Sequence, residues 1–287
     1  MERYTVIRRL ATTRTGQVLL CTDKQTNAQV VVKRVKMAWR SSMSIERQVH
    51  RHLMQGQPTN AHVVNLLDDF VQHGFEHLVL EYCANGELFD AVDKEPLETQ
   101  VVQSYFGQIC RAVQYMHSCD IAHCDLSLEN VLMDANGGLK VSDFGLSMTV
   151  DKRRRHAVGK TFYMAPEMHT GNPYDAAAAD VWSLGIMLFI MLTGSPPVET
   201  SESSDSVMQF ILHHGWRALV RAWNFDDAVT NDAMDLLEKM LVVDPDQRMA
   251  LADVLSHPFV DSLPVTEPIA VAHKLHALEL DVPTIEL

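Results

Sequence analysis

The chain has 287 residues, of which 47% are hydrophobic and 21% charged, and its formal net charge is −13. This balance predicts a globular protein with a large core, and the negative charge argues against a nucleic-acid partner. Residues 1–82 hold 11 Lys/Arg and 7 Asp/Glu, whereas the remainder holds 13 and 30. The change of sign is compatible with two lobes of different character. The acidic part is compatible with basic partners and equally with simple solubility.

Residues 4–36 are predicted to form three antiparallel strands. The β-rich runs "YTVIRRL", "QVLLCT" and "QVVVKRV" alternate there with short turns. Residues 42–54 have helical spacing, with Ile45, Val49 and Leu53 or Met54 on one face. Two more strands are predicted around "VVNLLDDFVQ" and "EHLVLEY". The first part of the chain is therefore expected to contain five strands and one helix.

The pattern becomes helical after "CANG" at 83–86. Residues 98–118 predict a long amphipathic helix, two short strands flank the turn "DANGG", and helical periodicity dominates from about 178 to 256. The apolar run "SLGIMLFIML" at 183–192 is too short to span a bilayer, so it predicts a buried helix and no membrane partner. Residues 261–287 contain three prolines and predict a short surface tail.

The cysteines favour a reducing compartment. Their number is odd and no pair has C-x-x-C spacing, so neither a disulfide framework nor a zinc site is expected. The first residues, "MERYTVIRRL", lack the apolar stretch of a secretory signal. A cytoplasmic location is therefore expected. The cysteines are Cys21, Cys83, Cys110, Cys119 and Cys124.

Several short motifs occur in one order along the chain. Lys33 ends the strand run "VVVK", and Glu46 lies on the next predicted helix. They are followed by "HCDLSLEN" at 123–130, "DFG" at 143–145, "APE" at 165–167, "DVWSLG" from Asp180 and "DPDQR" up to Arg248. Each motif alone is weak, but their shared order and spacing are specific. On these residues the chain resembles the eukaryotic protein kinase family, of the serine/threonine type, over roughly residues 4–260.

The resemblance implies the α+β, two-lobed protein kinase fold. Residues 1–82 would form a small lobe with an antiparallel β-sheet and one helix, residues 83–260 a larger, mainly helical lobe, and residues 261–287 a tail. It also implies an enzyme that uses ATP and Mg²⁺ and transfers the γ-phosphate to hydroxyl groups of a protein substrate. Arg248 and Glu167 would form a buried structural ion pair.

The resemblance assigns chemical roles to five residues. Lys33 would bind the α- and β-phosphates and pair with Glu46. Asp143 and Asn130 would hold Mg²⁺, which prefers hard oxygen ligands. Asp125 would accept the proton of the substrate hydroxyl and orient that group.

An adenine slot is also implied, with apolar walls, backbone groups from the connection between the lobes, and one residue that controls access behind the base. The walls would be Val18, Val31 and Leu132. Glu81 and Cys83 would supply the backbone groups, and Leu80 would control access. For Val18 and Leu132 a plain core role is the alternative. Glu87 would contact the ribose or a basic residue upstream of the acceptor.

Two segments depart from the family pattern. The phosphate loop G-x-G-x-x-G aligns with "ATTRTG", in which only Gly16 is kept. Cys124 replaces the arginine that, in the family, commonly pairs with a phosphate on the activation segment, which here runs from "DFG" to "APE" (143–167). The catalytic loop is therefore of the non-RD kind. His156 stands at the position that is usually phosphorylated. We therefore expect activity that does not depend on that modification.

A third departure concerns Ser127 and Lys160. The family usually carries lysine at the first position, where it reaches the γ-phosphate, and threonine at the second. Because the two positions are expected to face each other, Lys160 could supply the missing cation. The alternative is that Lys160 is merely exposed and that the enzyme has lost most of its activity. The sequence therefore predicts an active serine/threonine kinase. The alternative is a pseudokinase or scaffold with weak nucleotide binding and no transfer, which the degenerate phosphate loop and Ser127 favour.

Overall fold

The structure is a computed structural model that describes residues 1–13, 16–37, 43–55, 60–93 and 97–261. The predicted tail lies outside the described residues except for Asp261. Within these ranges the chain forms a β-sheet lobe followed by a helical lobe, which confirms the predicted fold class.

The small lobe is a five-stranded antiparallel sheet in the order β1-β2-β3-β5-β4, with one helix, α1, between β3 and β4 in the chain. Their bounds are β1 Tyr4–Thr12, β2 Gly16–Asp23, β3 Gln29–Lys36, α1 Ile45–Met54, β4 Leu66–Gln72 and β5 Phe75–Glu81. Ser44 caps α1, because its Oγ accepts a hydrogen bond from the N–H of Arg47 at 3.2 Å.

Two details of the small lobe differ from the prediction. Ile45 was expected on the buried face of α1 with Val49 and Leu53, but its exposed fraction is 48%, because this first residue of the helix borders an open groove. The predicted fourth strand begins at Leu66, not at residue 63. Val63 instead forms a β-bridge with Val141 of the large lobe, so the chain between α1 and β4 is joined to that lobe.

The large lobe consists mainly of helices packed around one apolar core. Their bounds are α2 Leu88–Val92, α3 Thr99–Ser118, α4 Ala176–Thr193, α5 Ser206–His214, α6 Trp216–Ala222, α7 Asn231–Met240, α8 Leu251–Leu255 and α9 Pro258–Asp261. Three pairs of short strands complete it: β6 Ile121–Ala122 with β9 Met148–Thr149, β7 Val131–Met133 with β8 Leu139–Val141, and β10 Arg153–Arg154 with β11 Tyr174–Asp175.

Helix α4 is the centre of this core. Asp175 caps it by accepting hydrogen bonds from the N–H groups of Ala177 and Ala178, and Gly194 ends it with a φ of +76°. With 18 residues the helix is long and apolar enough to cross a membrane, but 89% of it is buried in the fold. The predicted buried helix is therefore present, although it begins earlier than the apolar run.

The predicted ion pair between Arg248 and Glu167 is present. The two Nη atoms of Arg248 lie 2.7 and 2.9 Å from the two carboxylate oxygens, and Arg248 also donates to the carbonyl oxygen of Ala178 at 2.7 Å. The bidentate geometry fixes the "APE" segment against α4 and the segment that precedes α8.

Candidate active site

A lysine and two carboxylates meet between the lobes. Lys33 lies on β3, between β2 and β5 in the sheet, and its Nζ is 2.8 Å from each oxygen of Glu46 on α1. The same Nζ lies 3.2 Å from Oδ1 of Asp143, which belongs to the large lobe. Burial lowers the pKa of Lys33, but the two carboxylates outweigh it and the pKa is raised. The same cation holds the pKa of Asp143 below its usual value despite burial. Lys33 and Asp143 are therefore charged at neutral pH, whereas burial raises the pKa of Glu46 despite the opposing effect of Lys33.

The loop between β6 and β7 fixes a third carboxylate. The side-chain amide of Asn130 donates from Nδ2 to the carbonyl oxygen of Asp125 at 2.7 Å and to its Oδ2 at 3.0 Å. The other carboxylate oxygen, Oδ1, is buried and has no hydrogen-bond partner among the residues that the structure describes. Burial raises the pKa of Asp125, against the effects of Lys160 and Asn130. One oxygen is thus held in place and the other remains able to accept a proton.

The backbone on both sides of this centre is strained. Cys124 and Asp143 have φ angles of +65° and +62°, a region that side-chain-bearing residues rarely adopt. The two carboxylate oxygens of Asp180 on α4 accept the N–H groups of His123 at 2.7 Å and Cys124 at 2.9 Å. His123 Nε2 lies 3.0 Å from the carbonyl oxygen of Ser142, which precedes Asp143. The buried carboxylate of Asp180 therefore holds the backbone at Cys124 in a conformation that it would not adopt alone.

Ser127 and Lys160 are in direct contact. The ammonium of Lys160 donates to Oγ of Ser127 at 2.6 Å, and it lies 3.6 Å from a carboxylate oxygen of Glu129. Ser127 is fully buried, whereas 35% of the Lys160 side chain is exposed. The two positions thus face each other as predicted, with the cation carried by the segment that precedes "TFYMAPE".

Gly159 lies immediately before this lysine and was not among the predicted site residues. Its φ is +93°, and a Cβ at this position would lie 3.0 Å from Oδ1 of Asp125 and 3.2 Å from the carbonyl oxygen of Cys124. A glycine is therefore needed for the segment to pass beside Oδ1 of Asp125. The only sign in the sequence is a glycine directly before a lysine in "VGKTFY".

Most of the predicted adenine slot forms one apolar cluster. Leu80 and Cys83 belong to its buried part, and Val31 and Leu132 pack against it as partly buried side chains. The fifth predicted apolar residue, Val18, pairs across the β2–β3 ladder with Lys33. The four clustered residues therefore come from β3, β5, β7 and the connection between the lobes, whereas Val18 lies on β2 and is not part of this cluster.

Two polar residues border this cluster. Glu87 pairs with Leu132 through an isolated β-bridge, so its backbone lies beside the slot. Glu81 has both its N–H and its carboxylate in use: the N–H donates to the carbonyl oxygen of Asn65 at 3.1 Å, and the carboxylate accepts from the backbone N–H of Asn65 at 2.7 Å. The backbone carbonyl oxygen of Glu81 is therefore the group that could accept a hydrogen bond from adenine.

The glycine that the phosphate loop retains has a structural cause. A Cβ on Gly16 would lie 1.8 Å from the carbonyl oxygen of Arg34 on β3, so no side chain fits between the two strands. Thr13 closes the turn by donating its N–H to the carbonyl oxygen of Gly16 at 3.0 Å. Residues 14 and 15 lie outside the described residues.

The polar groups of the cleft fit a hard divalent cation. Both hydrogen bonds of the Asn130 side chain use Nδ2, which leaves the amide oxygen for a metal, and 49% of the Asp143 side chain is exposed. Within the described ranges, no group of three or more His, Cys, Asp or Glu residues could hold a metal by itself. A cation here would need further oxygen ligands from phosphate or water, as is usual for Mg²⁺.

Comparison with known proteins identifies this arrangement. Residues 4–260 match the protein kinase domain family. The chain belongs to this family. One relative, the serine/threonine-protein kinase Aurora-1 of Arabidopsis thaliana, is 32% identical over 250 residues, which are 85% of this chain and 82% of the relative.

Other kinases are similarly related. The chain is 34% identical to the serine/threonine-protein kinase GIN4 of Saccharomyces cerevisiae over 223 residues, or 77% of this chain. It is 28% identical to the serine/threonine-protein kinase SAPK1 of Oryza sativa subsp. japonica over 292 residues, or 99% of this chain. The matched region spans 19% of GIN4 and 83% of SAPK1. The predicted family is therefore confirmed, and the relatives carry the names of serine/threonine kinases.

In this kinase, Cys124 and His156 lie in parts of the large lobe that are held by contacts other than a phosphate. Cys124 belongs to an apolar cluster with Ala122 and Ala176. The hydroxyl of Tyr174 donates to the carbonyl oxygen of His156 at 3.1 Å. Nearby, the short β10–β11 pair and a 2.6 Å ion pair between Arg153 and Asp175 fix the activation segment.

Proposed function

We propose that the chain is an active serine/threonine protein kinase that transfers the γ-phosphoryl group of ATP, with Mg²⁺, to hydroxyl groups of proteins. The observation that carries the proposal is the state of Asp125. One of its carboxylate oxygens is fixed by Asn130, and the other is buried and has no hydrogen-bond partner within the described part of the chain. A carboxylate with a raised pKa and a free oxygen is suited to accept the proton of a substrate hydroxyl.

The remaining groups suit phosphoryl transfer, which depends mostly on positioning and charge stabilisation. Lys33, held by Glu46, would bind the α- and β-phosphates. Asn130 and Asp143 would hold Mg²⁺, which neutralises phosphate charge when bound. The contact between Lys33 and Glu46 supports these roles, because it joins β3 to α1 and so holds the Lys33 ammonium in the cleft.

Lys160 would supply the cation that the family usually carries at position 127. Its contact with Ser127 supports this exchange, as does its influence on the pKa of Asp125. A cation beside the base and the transferring group would stabilise the charge that develops there. Ser127 would then take the hydroxyl role that threonine usually has.

Activity would not require phosphorylation of the activation segment. The burial of Cys124 in an apolar cluster supports this proposal, because a phosphate would find no cation at that position. The contacts of Tyr174 and Arg153 hold the segment instead.

Protein substrates with basic residues fit the charge of the cleft. Burial raises the pKa of Glu87, and Asp90 and Glu129 act in the same direction, so a basic residue would find favourable partners here. All five cysteines lie within the described residues and are free thiols, which supports a cytoplasmic location. Neither a nucleic acid nor a membrane is part of the proposal.

A transfer assay with Asp125→Asn tests the function. Wild-type protein should transfer labelled γ-phosphate to a generic basic protein, and the Asp125→Asn variant should lose this activity while it keeps its melting temperature and its affinity for nucleotide. Equal transfer by both proteins would contradict the assignment. Nucleotide binding without transfer in the wild type would instead favour the pseudokinase.

A further inference from the structure

A lysine of the large lobe lies beside the adenine slot without a role in the proposed chemistry. Lys140 is on β8, where it pairs with Leu132 of β7, and only 8% of it is exposed. A buried ammonium is unfavourable unless it is paired and hydrogen-bonded. Its partners should therefore reveal what it holds in place.

The partners come from the small lobe and from the connection between the lobes. Nζ of Lys140 lies 3.0 Å from Oε1 of Glu81 and donates to the carbonyl oxygen of Ala61 at 2.9 Å. The same Glu81 oxygen accepts hydrogen bonds from the backbone N–H and the side-chain amide of Asn65, at 2.7 and 3.0 Å. One ammonium thus joins β8, the segment between α1 and β4, and the end of β5.

These contacts restrict the backbone of Glu81. Its N–H is taken by Asn65, and its side chain is directed toward Lys140 and Asn65. The orientation of the remaining backbone group, the carbonyl, is then fixed from both sides. A carbonyl oxygen accepts hydrogen bonds, and the exocyclic amino group of adenine is a donor.

We propose that Lys140 is a positioning residue for the adenine base and that it acts through Glu81. The ion pair keeps the Glu81 carbonyl aimed into the slot that Leu80 and Leu132 border. The inference rests on the proposed function, since it assumes that ATP occupies the cleft. It assigns to Lys140 an effect on the recognition of the base and none on the transfer of phosphate.

The test compares two nucleotides that differ at the group in question. Adenosine triphosphate carries the amino group and inosine triphosphate carries an oxygen at the same position. Dissociation constants for both should be measured by calorimetry for the wild type, Lys140→Met, Lys140→Arg and Glu81→Gln. Lys239→Met serves as the matched control, because Lys239 also pairs with a carboxylate, that of Asp235, but 47% of each side chain is exposed.

Lys140→Met is expected to weaken the binding of adenosine triphosphate about tenfold, the equivalent of one misplaced hydrogen bond, and to leave the binding of inosine triphosphate nearly unchanged. Lys140→Arg, which keeps the charge and the donors, should retain the preference for adenosine triphosphate. In transfer assays the change should appear in KM and not in kcat. Lys239→Met should bind both nucleotides like the wild type.

Other results would overturn the inference. An equal loss of affinity for both nucleotides would indicate a purely structural ion pair, and unchanged binding would remove Lys140 from base recognition. If Lys140→Met does not fold, Glu81→Gln tests the same pair and must itself reduce the preference for adenosine triphosphate. A wild-type protein that binds neither nucleotide would refute the proposed function, and this inference with it.

Discussion

Lys160 and Ser127 lie 33 positions apart in the sequence, yet the ammonium of one donates to the hydroxyl of the other at 2.6 Å. The pair occupies the side of the cleft where Oδ1 of Asp125 lies, because Gly159, next to Lys160, passes beside this oxygen. A cation is therefore present near the carboxylate of Asp125, whose pKa it lowers, although position 127 carries none.

Lys160→Ala is expected to lower transfer by about 10²-fold or more, because a preorganised charge at the transition state is typically worth ~3–4 kcal/mol. Most of the loss should appear in kcat, since the charge matters most in the transition state. Lys152→Ala, which removes an exposed cation from the same segment, is the control and should keep the wild-type rate. Steady-state kinetics decide the matter.

The double variant Ser127→Lys with Lys160→Thr restores the usual family arrangement and should recover part of the activity that Lys160→Ala loses. Its packing will limit the recovery, because Ser127 is fully buried and a lysine needs more room. A near-normal kcat in Lys160→Ala would mean that the catalyst works without this charge.

Lys33→Met is expected to abolish transfer and also to lower the melting temperature. It leaves Glu46, 7% exposed, in a buried position without its cation, and breaking such a pair from one side costs roughly 3 kcal/mol or more. Adding Glu46→Gln removes the unpaired charge. The double variant should therefore regain part of the melting temperature and none of the transfer. Activity retained in Lys33→Met would show that another cation binds the phosphates.

Phosphatase-treated protein is expected to keep its transfer rate, because the activation segment is fixed by Arg153 and Tyr174. Thr149, Thr161 and Tyr163 are the residues of this segment that could accept a phosphate and so contradict the prediction. Mass spectrometry should confirm that all three are unmodified in the assayed protein. A large loss of rate that rephosphorylation of one of them restores would refute the prediction.

Gly159→Ala is expected to reduce kcat about tenfold or more, because the new Cβ would press on the Asp125 carboxylate and displace it. Gly171→Ala is a matched control: this glycine also has a positive φ, +72°, but nothing lies within 4 Å of the added Cβ. Both variants should lose about 1 kcal/mol of stability to backbone strain. An equal effect of the two on kcat would exclude a specific contact with Asp125.

His50 is expected to make the fold sensitive to acid. Its ring is fully buried, lies 4.7 Å from that of Phe144, and neither nitrogen has a hydrogen-bond partner within the described part of the chain. Burial, with a smaller effect of Lys33, lowers its pKa to about 3. Between this value and the pKa of about 6.5 in the unfolded chain, the unfolded state binds more protons, so stability falls as the pH falls.

At one pH unit below the unfolded pKa, the loss from His50 amounts to about 1.4 kcal/mol. His50→Leu keeps an apolar contact with Phe144 and removes the titrating group. Chemical denaturation at pH 7.5 and 5.5 should therefore show a smaller loss of stability in this variant than in the wild type. Equal losses would show that His50 is hydrogen-bonded or solvated in solution.

The sequence by itself determined the elements and the order of the motifs. The β-branched run "VVVK" placed Lys33 on a strand, helical spacing placed Glu46 on α1, and the common order of short motifs identified the family. Periodicity and turn chemistry are local properties, so a strand or a helix can be read from a few consecutive residues. The pairing of Lys160 with Ser127 followed only because the family pattern says which positions face each other.

Only the tertiary structure decided how the site is held. Asp180 on α4 accepts a hydrogen bond from the backbone N–H of His123, and Gly159 passes beside Asp125. Lys140 reaches Glu81 across the two lobes, a contact that no motif contains. The exposure of Ile45, which helical spacing placed on the buried face, was likewise decided by tertiary packing. Contacts between residues far apart in the chain depend on which surfaces the packed core brings together, and a local pattern does not contain that information.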